Sequence, residues 1–369
     1  MGRSYGPSGP STRQRGTGFK LSGFEKQDYT GFSVSSAGDV NGDGFDDIVV
    51  GSPAGLGYNI HNASWVVFGK ASGFPASIDV STLNGVDGFG LGANFATLFG
   101  HSVSSAGDFN GDGLDDVIIG APLAEEPLFS GGFHPDNGAG YLWFGKSGGF
   151  AMNSTSPLKG TLDNDHLGFS VSGAGDVNGD GFDDVILGAI GTDDNGSNSG
   201  ASYVVFGFQG FVTPDFELSS LNGTNGFRIS GVAAGDQSGF SVSSAGDVNG
   251  DGYDDLIVGA PGADPNGLSS GASYVVFGKP GGFSANLNLS ALSGADGFKI
   301  SGAVVGDNSG SSVSSAGDVN GDGFDDLIVG APSADPNGSG SGASYVVFGA
   351  DFRGDINIAG TAGDDILTG

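Results

Sequence analysis

SVSSAGDVNGDGFDDIVVGSP, residues 33–53, decides the reading of this chain because it comes back four more times. Close copies start at Ser102, Ser170, Ser241 and Ser312. The first aspartate of each acidic segment, Asp39, Asp108, Asp176, Asp247 and Asp318, recurs at steps of 69, 68, 71 and 71 residues. A period held along a chain marks a repeat architecture, in which each unit buries its apolar faces against its neighbours.

Each unit holds four strand-like pieces. A small-residue run precedes the acidic segment, as at 241–245, and a short apolar run follows it, as at 256–258, too short for a helix and rich in β formers. An aromatic piece comes third, at 64–68, 141–144, 202–206, 273–277 and 344–348. The fourth resembles GFKLSG, residues 18–23, with relatives at 88–93, 226–231 and 297–302 and a weak one at 158–160. Four short antiparallel strands per period predict an all-β propeller of five blades. One copy of the fourth motif precedes the first acidic segment and none follows the fifth aromatic piece, so residues 18–23 are expected to close the ring as the outer strand of the last blade.

The predicted organisation is an N-terminal arm over 1–16, a propeller over 17–351 and a C-terminal tail over 352–369. The arm carries Arg3, Arg13 and Arg15 among Gly, Ser and Pro. Within the tail, GTAGDDILTG, residues 360–369, resembles the start of a haemolysin-type (RTX) calcium-binding repeat, a single copy of which cannot form a roll.

Composition narrows the function classes. The 75 glycines suit a loop-rich chain, and 28 phenylalanines give it material to bury. With 42 acidic against 12 basic residues and a net charge of -30, phosphate backbones and anionic membranes are repelled, so no nucleic-acid partner and no membrane insertion are expected. Divalent cations are the natural compensation. The absence of cysteine excludes disulfides, but calcium can fasten an extracellular fold instead. No run reaches transmembrane length and the first twenty residues have no apolar signal core; extracellular or cell-surface localisation would depend on an export address elsewhere.

Every acidic segment reads D-x-N-G-D-G-x-D-D. Calcium takes six to eight hard oxygen ligands in a flexible shell, and alternating positions on a tight loop can face one ion. The expected ligand sets are Asp39, Asn41, Asp43, the Phe45 carbonyl and Asp47; Asp108, Asn110, Asp112, the Leu114 carbonyl and Asp116; Asp176, Asn178, Asp180, the Phe182 carbonyl and Asp184; Asp247, Asn249, Asp251, the Tyr253 carbonyl and Asp255; and Asp318, Asn320, Asp322, the Phe324 carbonyl and Asp326. Position six is glycine throughout, which lets the loop turn around the ion. Position eight, at Asp46, Asp115, Asp183, Asp254 and Asp325, is assigned a bracing role. An EF-hand would need an acid at position twelve, where this chain has Val50, Ile119, Leu187, Val258 and Val329. Five Ca2+ ions would offset ten of the 15 ligand charges and take the net charge from -30 to -20. Without them the clustered carboxylates repel, so folding and calcium binding are expected to be coupled.

On these residues the chain resembles the FG-GAP repeat family, which includes the β-propeller of integrin α subunits. Phe32, the serine-rich strand, the loop 39–47 and Gly51-Ser52-Pro53 carry the likeness, with closer GAP triplets at 120–122, 259–261 and 330–332. The pattern departs at Gly188-Ala189-Ile190, and His101 and Ser311 stand where Phe32 does. Integrin heads have seven blades and carry such loops in only some of them. What the resemblance implies is a calcium-bearing propeller used for extracellular recognition or adhesion, with a protein or glycan partner. A structural spacer in a larger secreted or cell-surface protein is the alternative, and a propeller attached to a secreted hydrolase a weaker one.

No catalytic constellation is expected: His61, His101, His134 and His166 share no ligand spacing, and the paired acids are already used by the loops. Arg353-Gly354-Asp355 is read as a chance tripeptide in a chain rich in Gly and Asp. Glycosylation-type triplets start at Asn62, Asn153, Asn195, Asn222, Asn288 and Asn337. The acidic loops join strands one and two, so the irregular segments 56–62, 123–138, 191–200, 262–271 and 332–342 are expected on the opposite face, where ligand selectivity would reside.

Overall fold

A computed structural model of the chain describes residues 18–23, 26–53, 63–92, 98–127, 133–134, 136–148, 155–160, 162–210, 216–352 and 357–359. The expected arm at 1–16, the insertion at 56–62 with His61, the 353–355 tripeptide and the RTX-like 360–369 lie outside the described residues.

The repeat unit folds as a small antiparallel sheet. Inner strands are Val34–Gly38, Ser102–Gly107, Leu167–Gly175, Ser241–Gly246 and Ser312–Gly317 in blades I to V. Second strands are Asp47–Ser52, Asp116–Ala121, Asp184–Ala189, Asp255–Ala260 and Asp326–Ala331; third strands are Ala63–Val67, Ala139–Trp143, Ala201–Val205, Ala272–Val276 and Ala343–Val347. Outer strands Gly88–Leu91, Thr155–Lys159, Gly226–Ser230 and Gly297–Ser301 complete blades I to IV. The weak motif at 158–160 thus belongs to a full strand. Register is constant: Val258 faces Val242 on one side and Tyr274 on the other, as Leu187 faces Val171 and Tyr203.

Four cores form, each between two successive blades. Leu142, Ile118 and Leu158 of blade II meet Val171, Leu187 and Tyr203 of blade III, and Ile186, Val204 and Phe227 of blade III meet Val242, Val258 and Tyr274 of blade IV. Equivalent clusters join blades I and II and blades IV and V. Strand alternation is the reason: successive positions of a strand pack alternately on the blade before and the blade after, so both faces of an interior blade are apolar. Apolar burial of this kind stabilises by about 25 cal/mol per Å2, so each added blade strengthens the array through its interfaces.

A short strand between the third and outer strands of units III and IV, and after the third strand of unit V, reaches back to brace the preceding blade. Phe216–Glu217 pairs in parallel with Thr155–Lys159, Asn286–Asn288 with Gly226–Ser230, and Asn357–Ala359 with Gly297–Ser301. Lys20–Ser22 forms the same parallel pair with Ser77–Asp79 of blade I. This corrects the expected closure. Residues 18–23 hold the place of an outer strand in a blade preceding blade I, but they do not pair with Ala343–Val347, and the described sheet of blade V ends there with three strands. The inner strands pack in the series I to V, whereas no comparable packing joins V to I among the described residues. Among the described residues the five blades pack in series from I to V.

Candidate metal centres in the blade loops

Each acidic loop connects an inner strand to a second strand, and its first aspartate acts as the hub. Asp39 accepts from the N–H groups of Gly42 at 2.8 Å, Asp43 at 3.1 Å and Gly44 at 2.8 Å. Asp176, Asp247 and Asp318 repeat all three bonds, and Asp108 makes those to Asp112 and Gly113. Position six supports this turn with φ of +84° at Gly44 and +91° at Gly252, a conformation that excludes most side chains. Position five then accepts from the N–H of position seven, as in Asp43 from Phe45 at 3.0 Å.

Position nine is the buried end of the constellation. Asp184 takes the Gly207 N–H at 2.9 Å on Oδ1 and the Val177 N–H at 3.0 Å on Oδ2, tying the loop to the end of the third strand; Asp47, Asp255 and Asp326 do the same. Burial pushes the Asp47 carboxyl up to about 6 and those of Asp116, Asp184 and Asp255 up to about 8, and the charges at positions five and one add to the effect. Positions one, five and nine therefore share one electrostatic neighbourhood. Asn110, Asn178 and Asn320 donate from Nδ2 to the position-five carboxylate, so the amides point into that neighbourhood too.

Among the described residues no group of three or more His, Asp or Glu side chains is gathered as a finished metal cage. In each loop the hub carboxylate is turned toward backbone N–H groups instead of toward the other two expected carboxylate donors. The donor set nevertheless fits a hard cation. Carboxylate oxygens each retain a lone pair beyond one hydrogen bond, and Asp116 Oδ2 is buried with no hydrogen-bond partner. A divalent cation would supply that partner and offset the repulsion that adds to burial in raising position nine.

Position eight braces a loop, but its partner is the loop of the preceding blade. Asp115 accepts the Asp39 N–H at 2.7 Å, Asp183 that of Asp108 at 2.8 Å, Asp254 that of Asp176 at 2.9 Å and Asp325 that of Asp247 at 2.9 Å. The glycine before each hub makes room: Gly38, Gly107, Gly175 and Gly246 sit at a bulge with positive φ, and a Cβ there would collide with the clasping carboxylate. Position seven packs beside it, Phe182, Tyr253 and Phe324 lying against Gly111, Gly179 and Gly250 of the preceding loop.

Two further features were not visible in the motif alone. Phe32, His101, Phe169 and Phe240 form a column across blades I to IV with ring centroids 5.1, 4.8 and 5.0 Å apart. His101 takes a phenylalanine's place in that column and binds the Phe169 carbonyl through Nδ1 at 2.9 Å; burial holds its pKa below the usual 6.5. On the opposite side, Asp165 lies near Arg228, which pairs with Asp194 at 2.5 Å and lies over the ring of Tyr203. Tyr203 and Tyr274 are buried between blades.

Four stretches, residues 30–67, 99–144, 238–276 and 309–347, match the FG-GAP repeat. The third unit is outside those matches, although its sheet and loop reproduce the others. Over longer spans the chain is similar to integrin alpha-8 of Gallus gallus, 31% identical over 235 residues, and to integrin alpha-5 of Xenopus laevis, 34% identical over 246 residues. Integrin alpha pat-2 of Caenorhabditis elegans is 34% identical over 248 residues. These alignments take in 63–64% of this chain and 18–20% of the relatives, so the chain spans about a fifth of their length. The resemblance to the FG-GAP β-propeller of integrin α chains is thereby supported both by the repeat matches and by alignments over 63–64% of the chain. No described helix is long and apolar enough to cross a membrane.

Proposed function

We propose that the chain is a calcium-stabilised recognition or adhesion module of an extracellular or cell-surface protein, without enzymatic activity of its own. The observation that carries this reading is the coincidence of the integrin α alignments with a propeller whose five loops all present the Asp-Asn-Asp donor pattern. Calcium is favoured over magnesium because a mixed set of carboxylate, amide and carbonyl oxygens on a flexible loop suits a larger, irregular shell. One ion per loop is the proposed stoichiometry, held by the ligand sets named above.

The binding surface is proposed at the end of the blades away from the acidic loops. Antiparallel pairing puts the connections between second and third strands there, including 191–200, 262–271 and 332–342. Their sequences vary while the strands stay regular, as suits a scaffold carrying different contacts. A matrix protein or a glycan is the expected partner class. The test is a binding screen of the intact chain against matrix proteins and polysaccharides, with and without a calcium chelator. Calcium-dependent binding that is lost on substitutions in 191–200 or 262–271 supports recognition. Binding to none of them, from a protein that is folded and calcium-loaded, favours the spacer reading instead.

A further inference from the structure

At the end of the blades away from the acidic loops, the connections between second and third strands are built on one frame. In blade III, Asp193 accepts the Asn198 N–H at 2.7 Å, the Asn195 N–H donates to Ser199 Oγ at 3.2 Å and Asn195 Nδ2 donates to the Gly231 carbonyl at 2.6 Å. Blade IV repeats it: Asp264 accepts the Ser269 N–H at 2.6 Å, the Asn266 N–H donates to Ser270 Oγ at 3.1 Å and Asn266 Nδ2 donates to the Gly302 carbonyl at 2.7 Å. Each frame is also tied to the segment that runs on to the next blade, the Gly235 N–H meeting the Ser197 carbonyl at 2.9 Å and the Gly306 N–H the Leu268 carbonyl at 3.0 Å. The backbone at both joints is thus fixed by its own hydrogen bonds, and a ligand would find it already formed.

On this constant frame the side chains differ. Where the joint of blades III and IV carries Ser197, Ala233 and Ala234, the joint of blades IV and V carries Leu268, Val304 and Val305. The blade V copy of Leu268 is Ser339. Both triplets are exposed, and the joint of blades III and IV lies inside the series, so it is the place of these positions in the fold that exposes them. Leu268 is 72% exposed, Val305 58% and Val304 44%. They are neighbours: a Cβ built at Gly267, beside Leu268, would stand 2.5 Å from Val305 Cγ2. A lone exposed valine carries no message, but three aliphatic side chains gathered where the sibling joint has serine and alanine form a patch. Its surroundings are acidic. The segments 191–200, 231–239, 262–271, 302–311 and 332–342 carry six aspartates, no lysine or arginine, and no aromatic ring.

We infer that Leu268, Val304 and Val305 are the anchor point of the recognition surface, and that its occupant is a polypeptide segment of a partner protein bringing a large apolar side chain flanked by lysine or arginine. The inference rests on the recognition reading proposed above and narrows its partner from protein or glycan to protein. Three observations carry it. An apolar centre inside a polar rim is the anatomy of a protein–protein contact, in which a few anchors supply most of the affinity. The carboxylates around the patch complement a basic segment and would speed its approach, while an anionic polysaccharide would be repelled. The hydrogen-bonded frame keeps the ordering cost of binding low. A neutral sugar would meet aliphatic side chains and no ring on which to lie.

The test uses a variant that gives this joint the side chains of its sibling: Leu268→Ser, Val304→Ala and Val305→Ala together. All three sites are exposed and the same frame already carries these residues in blade III, so the melting curve in calcium is expected to be unchanged. Phage-displayed random peptides are panned on the calcium-loaded 369-residue chain after depletion on the variant. The expected winners pair a large aliphatic or aromatic residue with lysine or arginine. As synthetic peptides read by fluorescence anisotropy, they should bind the variant at least about tenfold more weakly than the wild type, and bind both less well as salt rises. Winners without that signature, or equal binding to the two proteins, overturn the inference. So does a glycan or matrix protein from the screen above whose binding the variant leaves unchanged, a result that keeps the recognition reading. A folded, calcium-loaded chain that binds no peptide, protein or glycan overturns both.

Discussion

Asp115→Ala isolates the inter-blade clasp. The Asp115 carboxylate reaches out of blade II to the Asp39 N–H of blade I at 2.7 Å, a short hydrogen bond to a charged acceptor. Bonds of this kind contribute about 1.5–3 kcal/mol, and leaving the N–H unpaired carries its own cost. The site is half open to water, which discounts the figure to about 1–2 kcal/mol, or roughly a tenfold loss in the equilibrium holding blade I on blade II. The chain offers both a reporter and a control. Its two tryptophans, Trp65 and Trp143, lie in the third strands of blades I and II, so their fluorescence in a urea titration follows this joint. Asp46 occupies the same loop position with no clasp bond to another blade among the described residues, and Asp46→Ala is expected to change stability by less than about 0.5 kcal/mol. Equal losses for the two variants would refute the clasp and return position eight to bracing its own loop.

The other expectations rest on separate features. In chelator, stability should fall as pH rises from about 4 toward 8: Asp116, Asp184 and Asp255 have folded pKa values near 8 against the usual 3.8, so the native state holds protons that the unfolded state releases in that window. Calcium should flatten or reverse the trend, and a melting temperature that is flat with pH in chelator would count against the buried-carboxylate account. Gly259→Ala should cost about 1–3 kcal/mol, because a Cβ there would strike the Gly310 carbonyl of blade V, whereas Gly330→Ala, whose nearest neighbour is 3.4 Å away, should be nearly silent in the same melts. Phe227→Ala, emptying a buried ring stacked at 4.3 Å on Phe283, should cost about 3–5 kcal/mol by chemical denaturation.

The strands and loops were legible because they repeat. Period, hydrophobic alternation and the D-x-N-G-D-G register located all five inner, second and third strands and four of the outer ones. What did not show was anything whose meaning depends on a neighbour. Asp115 and Asp39 are 76 residues apart, and the sequence around position eight gives no hint of which loop it will hold. Phe216–Glu217 is too short for periodicity to mark, and exists as a strand only because Thr155–Lys159 offers an edge. The GFKLSG motif forms a strand that pairs in parallel with Ser77–Asp79 as the outer strands pair with their braces, but its pattern does not say which blade it would complete. Its partner, Ser77–Asp79, belongs to a class of bracing strands absent from the inferred blade. His101 stands where the motif has phenylalanine, and its place in the aromatic column explains why a flat ring is kept there.

Calcium counting decides the central claim most directly. Equilibrium dialysis of the chain against labelled calcium at neutral pH, paired with a melting curve in excess chelator, should give about five ions per chain, one for each acidic loop, and a clear drop in melting temperature once they are removed. Binding of no ions, or an unchanged melting curve in chelator, would contradict it and leave the five loops as hydrogen-bonded turns that hold the blades together without metal.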